Sequence, residues 1–102
     1  MKYNLSIKCI ETALPKNNFQ ISSLKKNNPN WDIKKIIEKT GIEKIWYTKK
    51  NQTALDLALK ASKKLLKKIN KKSIDTLIYV TQSPEYFLPS NACILQNRLG
   101  LS

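Results

Sequence analysis

The chain contains no histidine and only two cysteines, Cys9 and Cys93, among its 102 residues. Two thiols without an imidazole cannot assemble an ordinary zinc site. A Cys–His or Ser–His nucleophile system is excluded as well, because its base is missing. No disulfide is expected between two distant cysteines in a chain without a signal peptide. Both are predicted to be reduced thiols in the core.

Acidic residues and arginine are also scarce. The sequence has 7 acidic residues against 19 basic ones, which gives a net charge of +12 and a pI near 9.9. This balance favours acidic partners such as nucleic acid, anionic lipid, phosphorylated cofactors or an acidic carrier protein. Only Arg98 is an arginine, however, and arginine is the usual reader of phosphates and guanine edges. A general lysine-rich surface is therefore favoured over a dedicated binding face, and both interpretations stay open.

Long apolar runs are absent too. No segment approaches the ~20 apolar residues of a membrane span, and Lys8 and Glu11 interrupt the first residues before a signal peptide can form. With 41% hydrophobic residues the composition is globular. We predict one small, soluble domain, untargeted and cytoplasmic, without a membrane partner.

Hydrophobic periodicity predicts the elements of the first half. Alternation over 3–11 predicts a strand that ends before Leu14-Pro15, and 16–18 is turn material. A short helix is expected after Ser22, and a second one from Trp31 or Asp32 to Lys39, with Gly41 at its C-terminal end. Residues 45–47 are predicted to form another short strand.

The clearest element is an amphipathic helix over 53–69. Thr53 and Asp56 have the spacing of a capping box, and the apolar face is formed by Ala54, Leu57, Ala58, Ala61, Leu65 and Ile69. Its lysines are expected to face water, although such a helix can also bind a membrane or a partner. The unbroken apolar run 76–81 predicts a strand in the interior of a parallel sheet, followed by a helix from Pro89-Ser90 to Leu99-Gly100. This order indicates an α/β unit without a domain boundary.

The motifs, taken in order, resemble the N-terminal part of the β-ketoacyl-acyl-carrier-protein synthase III family, whose members are thiolase-fold condensing enzymes. The residues that carry the resemblance are Leu14-Pro15, Thr40-Gly41-Ile42 and the segments 53–58, 74–81 and 83–100, of which 84–100 is the strongest. The resemblance covers nearly the whole chain. It implies a thiolase-like α/β fold, mainly a parallel sheet with packed helices, of which residues 1–102 are the N-terminal portion.

The resemblance also implies a function. Family members transfer an acyl group from acyl-coenzyme A to a cysteine, and then condense it with malonyl-acyl carrier protein by decarboxylation. The nucleophile, a histidine and an asparagine all fall beyond Ser102, so no catalytic residue is expected within this chain. The parent is predicted to be a homodimeric acyltransferase of fatty-acid or related lipid metabolism. Coenzyme A thioester is expected as a substrate, with no permanently bound cofactor, no metal and no nucleic acid.

Some positions are implied as binding residues. Gln82, Phe87 and Leu88 match the acyl pocket and dimer interface, although ordinary interface packing explains Leu88 equally well. Cys93 matches a position where relatives carry a non-catalytic cysteine, and we predict that it is buried.

The coenzyme A site departs from the family pattern. Lys35 stands where an adenine-stacking tryptophan is usual, and Lys39 stands where an arginine is usual. Trp31, one helical turn earlier, is the possible substitute. Lysine pairs with phosphates as a point charge but does not stack on adenine.

Two other functions compete with the acyltransferase. One is a small basic module that binds nucleic acid or an acidic protein without catalysis, for which steep salt dependence is the discriminating observation. The other is a dimerisation module without ligands, which would show self-association alone.

Overall fold

The computed structural model describes residues 4–102, which form two compact units. The first unit contains residues 4–13 and 52–102, and the second contains residues 14–51. Tyr3, the first residue of the predicted N-terminal strand, lies outside the described residues. None of the helices in the described part of the chain is long and apolar enough to cross a membrane.

The second unit contains a two-stranded antiparallel sheet of β1 (Asn17–Gln20) and β2 (Lys44–Tyr47), with Phe19 opposite Ile45. The predicted strand at 45–47 is therefore confirmed. The turn predicted at 16–18 is wrong at its C-terminal end, because Asn17 and Asn18 pair with β2. The ring of Phe19 lies 6.0 Å from that of Tyr47, and this aromatic contact favours the strand over the local turn preference of asparagine.

Two helical segments complete this unit. A 3₁₀ helix spans Ile21–Lys26, where a short helix was expected, and α1 spans Ile33–Thr40. Asp32 caps α1 by accepting a hydrogen bond from the Lys35 backbone N–H at 3.1 Å. Gly41 ends it with a φ of +67°, in the left-handed region that favours glycine. Ile21 and Ile33 are the buried apolar side chains of the unit.

In the first unit, α2 spans Ala54–Leu65 and packs against α3, which spans Asn91–Leu99. The predicted capping box is present: Thr53 Oγ1 accepts from the Asp56 N–H at 3.3 Å, and Asp56 Oδ2 accepts from the Thr53 N–H at 3.0 Å. α2 is shorter than predicted, because the chain continues from Leu66 in turns to a 3₁₀ helix at Lys71–Ser73.

The first turn of α2 buries a different residue from the one predicted. Leu55 is fully buried, whereas Ala54, expected on the apolar face, is exposed. The interior of this unit is completed by Leu95 of α3 and by Leu101, which follows the predicted glycine stop at Gly100. Spacing alone did not identify Leu55 as the buried residue of the first turn.

The two other predicted strands are not formed in the described residues. Residues 4–15 and 74–80 have no regular secondary structure. Leu77 and Tyr79 are half-buried, but Ile78 and Val80 are 83% and 90% exposed. The prediction that 76–81 lies inside a sheet is thus wrong, because within residues 4–102 no strand pairs with the segment and Ile78 and Val80 stay uncovered.

Candidate functional site

The candidate site is the loop formed by residues 82–90, which joins the irregular segment 74–81 to α3. Gln82, Phe87 and Leu88, the predicted acyl-pocket residues, all lie in this loop and are all exposed. Phe87 is 96% exposed and Leu88 is 87% exposed, and Tyr86 beside them is also exposed. Three consecutive bare apolar side chains are uncommon on a protein surface and mark a surface that other atoms cover.

One acidic residue attaches this loop to the rest of the unit. The carboxylate of Glu85 accepts a hydrogen bond from the hydroxyl of Thr53, the residue that caps α2. Its other oxygen lies 3.9 Å from Arg98 Nη2, near the end of α3. The Glu85 side chain is only 15% exposed. A carboxylate that is largely withdrawn from water needs such partners, because an unpaired charge there would be costly.

Arg98 shares its charge between two carboxylates. Its Nη1 lies 3.4 Å from Asp56 Oδ1, and Asp56 is the second member of the α2 capping box. The network therefore joins the loop, the N-terminus of α2 and the last turn of α3 through Thr53, Asp56, Glu85 and Arg98.

Asn91, the first residue of α3, supplies a further attachment. Its Oδ1 accepts a hydrogen bond from the Glu85 backbone N–H at 3.2 Å. The residue is 3% exposed, and within residues 4–102 its Nδ2 has no hydrogen-bond partner. A buried amide donor without an acceptor costs ~1–3 kcal/mol. Asn91 thus holds the loop in place, and its unpaired Nδ2 lowers the stability of the unit.

A cavity of about 250 Å³ lies between the loop and α3. Its lining residues are mainly aromatic and small: Tyr79, Thr81, Pro84, Tyr86, Phe87, Ser90, Asn91 and Ala92. Of the three predicted acyl-pocket residues, only Phe87 lines this cavity. Sequence reasoning missed Glu85, Asn91 and Arg98. Two signals pointed to them: the one arginine of the chain, and a carboxylate placed in an otherwise uncharged loop.

Cys93 is exposed, so the prediction that it is a buried packing residue is wrong. The buried residues of α3 are Asn91 and Leu95, four positions apart. A residue midway between them points to the opposite side of the helix. Cys9 is half-buried, and both thiols are free, as predicted.

The residues predicted for coenzyme A lie in the second unit. Trp31, Lys35 and Lys39 are all exposed. Lys35 and Lys39 are four residues apart on α1 and share a face. Trp31 precedes the helix, and its carbonyl oxygen accepts a hydrogen bond from Lys25 Nζ at 2.7 Å. The structure thus leaves one indole and two ammonium groups free to meet a ligand, without enclosing them in a pocket.

An ion pair in the first unit shifts the pKa values of both its members, Glu11 and Lys68. Lys68 Nζ lies 2.5 Å from Glu11 Oε1. The hydrogen bond and charge of Lys68 hold the pKa of Glu11 below its ordinary value of 4.5. In return, Glu11 raises the pKa of Lys68 above 10.5. Among residues 4–102 no cluster of three or more His, Cys, Asp or Glu side chains could hold a metal ion.

The comparisons with known proteins identify the fold class first. The chain superimposes with a TM-score of 0.84 and 36% identity on a crystal structure of a 3-oxoacyl-(acyl-carrier-protein) synthase III, covering 95% of this chain and 29% of that one. A 3-oxoacyl-(acyl-carrier protein) synthase from Burkholderia xenovorans gives a TM-score of 0.77 at 28% identity over 91% of this chain and 28% of that one. The fold is therefore part of a thiolase-like α/β fold.

The sequence comparison then finds similarity to an enzyme of the same kind. Over 82 residues, 71% of this chain, it is 39% identical to a β-ketoacyl-[acyl-carrier-protein] synthase III of Fusobacterium nucleatum. No protein-family model matches the chain. The resemblance drawn from the motifs is confirmed: the chain resembles the N-terminal part of β-ketoacyl-acyl-carrier-protein synthase III. It spans about a quarter of the length of that curated relative.

Proposed function

We propose that this chain is the N-terminal part of a synthase III-like acyltransferase that condenses an acyl-coenzyme A with malonyl-acyl carrier protein. The observation that carries the proposal is the similarity to these enzymes in sequence over 71% of the chain and in fold over 95% of it. The exposed Tyr86, Phe87 and Leu88 support it, because an acyl chain and a second subunit both provide apolar atoms to cover them.

In this proposal the chain contributes binding surfaces rather than reacting groups. Gln82, Phe87 and Leu88 border the acyl group, with Leu88 reaching the pocket of a second subunit. The nucleophilic thiolate and the donors that stabilise the enolate come from residues outside 1–102. In this proposal the exposed Cys93 is not the nucleophile, because the resemblance puts that residue beyond Ser102.

We propose that the second unit binds the coenzyme A part of the substrate. Lys35 and Lys39 would pair with its phosphates as point charges, and Trp31 would supply the stacking surface for adenine. All three side chains are accessible for these contacts.

The test is condensation by the natural polypeptide that carries this chain. With labelled acetyl-coenzyme A and malonyl-acyl carrier protein, we expect a labelled β-ketoacyl product. Sedimentation at micromolar concentration should show a dimer that Leu88→Asp weakens, while Asp75→Asn, a change at an exposed carboxylate, does not. A folded protein that transfers no label from any acyl-coenzyme A would contradict the proposal.

A second candidate function, a basic binding module, rests on one observation. The segment 60–72 contains seven lysines and no acidic residue, and all seven are exposed: Lys60, Lys63, Lys64, Lys67, Lys68, Lys71 and Lys72. If this surface binds a polyanion such as RNA, affinity should fall steeply between 50 and 200 mM salt, as expected when many phosphates are neutralised. Affinity that does not change with salt, or no binding, removes this candidate.

A further inference from the structure

Glu85 is the residue through which the loop 82–90 is held. Its side chain contacts Thr53 and Arg98, and its backbone N–H donates to Asn91. In the described part of the chain, no hydrogen bond is made by residues 86–89. The three exposed apolar side chains therefore directly follow the only residue that ties this part of the loop to both helices.

We propose that Glu85 is a positioning residue that sets the acyl-chain specificity of the enzyme by fixing where Phe87 and Leu88 project. The inference rests on the proposed function, in which these two side chains border the acyl group. Glu85 itself does not touch the substrate. It acts through the loop backbone, which it places relative to the N-termini of α2 and α3.

The geometry explains why both the length and the charge of Glu85 matter. One carboxylate oxygen meets the Thr53 hydroxyl while the other faces Arg98 Nη2 at 3.9 Å. Glutamine keeps the length and an acceptor for Thr53 but loses the charge that faces Arg98. Aspartate keeps the charge but is one methylene shorter, so it cannot keep both contacts without moving the loop.

The expected effect on specificity follows from how strongly an apolar pocket distinguishes acyl chains of different length. One methylene in an apolar pocket changes kcat/KM by roughly 10–200-fold. If the walls at Phe87 and Leu88 become mobile, the enzyme should accept longer chains with less penalty. For Glu85→Gln we expect the ratio of kcat/KM between the preferred acyl group and one two carbons longer to fall by about tenfold. Glu85→Asp should give a smaller fall in the same direction.

The experiment uses the natural polypeptide that carries this chain and a series of acyl-coenzyme A substrates of increasing length. Glu85→Gln, Glu85→Asp and the control Asp75→Asn are compared, since Asp75 is an exposed carboxylate of the same unit. Hydrogen exchange of the Glu85 amide, which donates to Asn91 Oδ1, is measured in parallel. Both Glu85 variants should exchange faster there and show the flattened length profile, whereas the control should match the wild type.

The outcomes separate this inference from the function on which it rests. A wild-type protein that transfers no acyl group defeats the proposed function, and the specificity role with it. A wild-type protein that transfers acyl groups, with folded Glu85 variants that keep its length profile, overturns the positioning role alone. A lower Tm with an unchanged profile would show that Glu85 only stabilises the fold, and this result also overturns the inference.

Discussion

Replacing Leu55 by alanine should destabilise the first unit more than any other single truncation. Leu55 is fully buried in α2, and it is the one large side chain with essentially no exposure among residues 4–102. A buried Leu→Ala change costs about 2–5 kcal/mol, because it removes apolar contacts and leaves a cavity. The entire stability of an ordinary domain is only about 5–15 kcal/mol.

The structure offers a matched control for this change. Ile78 has a similar volume but is 83% exposed, so Ile78→Ala should alter the free energy of unfolding by less than about 0.5 kcal/mol. Urea unfolding of the 102-residue chain, followed by circular dichroism, measures both variants. Leu55→Met, which keeps the volume, should lose less than about 1.5 kcal/mol and provides a folded intermediate case.

The result that would refute this reasoning is equal destabilisation by Leu55→Ala and Ile78→Ala in the 102-residue chain. It would mean that Ile78 is buried in solution, and that α2 is not packed as described. In the natural polypeptide the expectation differs for Ile78. If further residues cover the segment 74–80, Ile78→Ala should there cost at least about 2 kcal/mol, as buried truncations do.

Three further predictions concern charge, cofactor and backbone. The pKa of Glu11 should lie below 4.5 and rise towards that value in Lys68→Gln, where Lys64 still lowers it, as followed by carboxyl NMR. The stability that the pair adds is complete above pH 4.5 and is lost as the pH falls through the folded pKa, so an unshifted pKa would exclude the pair. Lys35→Trp should tighten coenzyme A binding by about one to two decades in calorimetry, since a stacked aromatic contributes roughly 1–3 kcal/mol per base. Unchanged affinity in both this variant and Trp31→Ala would place the adenine elsewhere. Gly41→Ala should destabilise the second unit by about 1 kcal/mol in thermal unfolding, because its φ of +67° is strained for any residue with a Cβ, and no loss would show a different end to α1.

The parts of the fold that sequence predicted correctly depend on local signals. The capping box at Thr53 and the glycine at position 41 act within one helical turn, so they are visible in the sequence. The pairing of β1 with β2 brings together residues that are 24 to 30 positions apart. No local pattern in the asparagine-rich stretch around Asn17 announces such a partner, and the strand was therefore missed.

The segment 76–81 shows a second reason for a missed element. Its apolar composition predicted a strand, but a strand also needs a hydrogen-bonded neighbour, and composition does not show whether one is present. The candidate site is similar. The motifs located the loop with Phe87 and Leu88, but the contacts of Glu85 with Thr53, 32 positions away, depend on how α2 and α3 pack.

The most direct test of the account is the intact mass of the protein after incubation with acyl-coenzyme A. The account predicts that the 102-residue chain gains no acyl group, because it contributes binding surfaces and contains no base for a cysteine nucleophile. The natural polypeptide that carries the chain should gain one acyl group per subunit, on a residue outside 1–102. A stoichiometric thioester on Cys93 or Cys9 of the 102-residue chain would contradict the central claim.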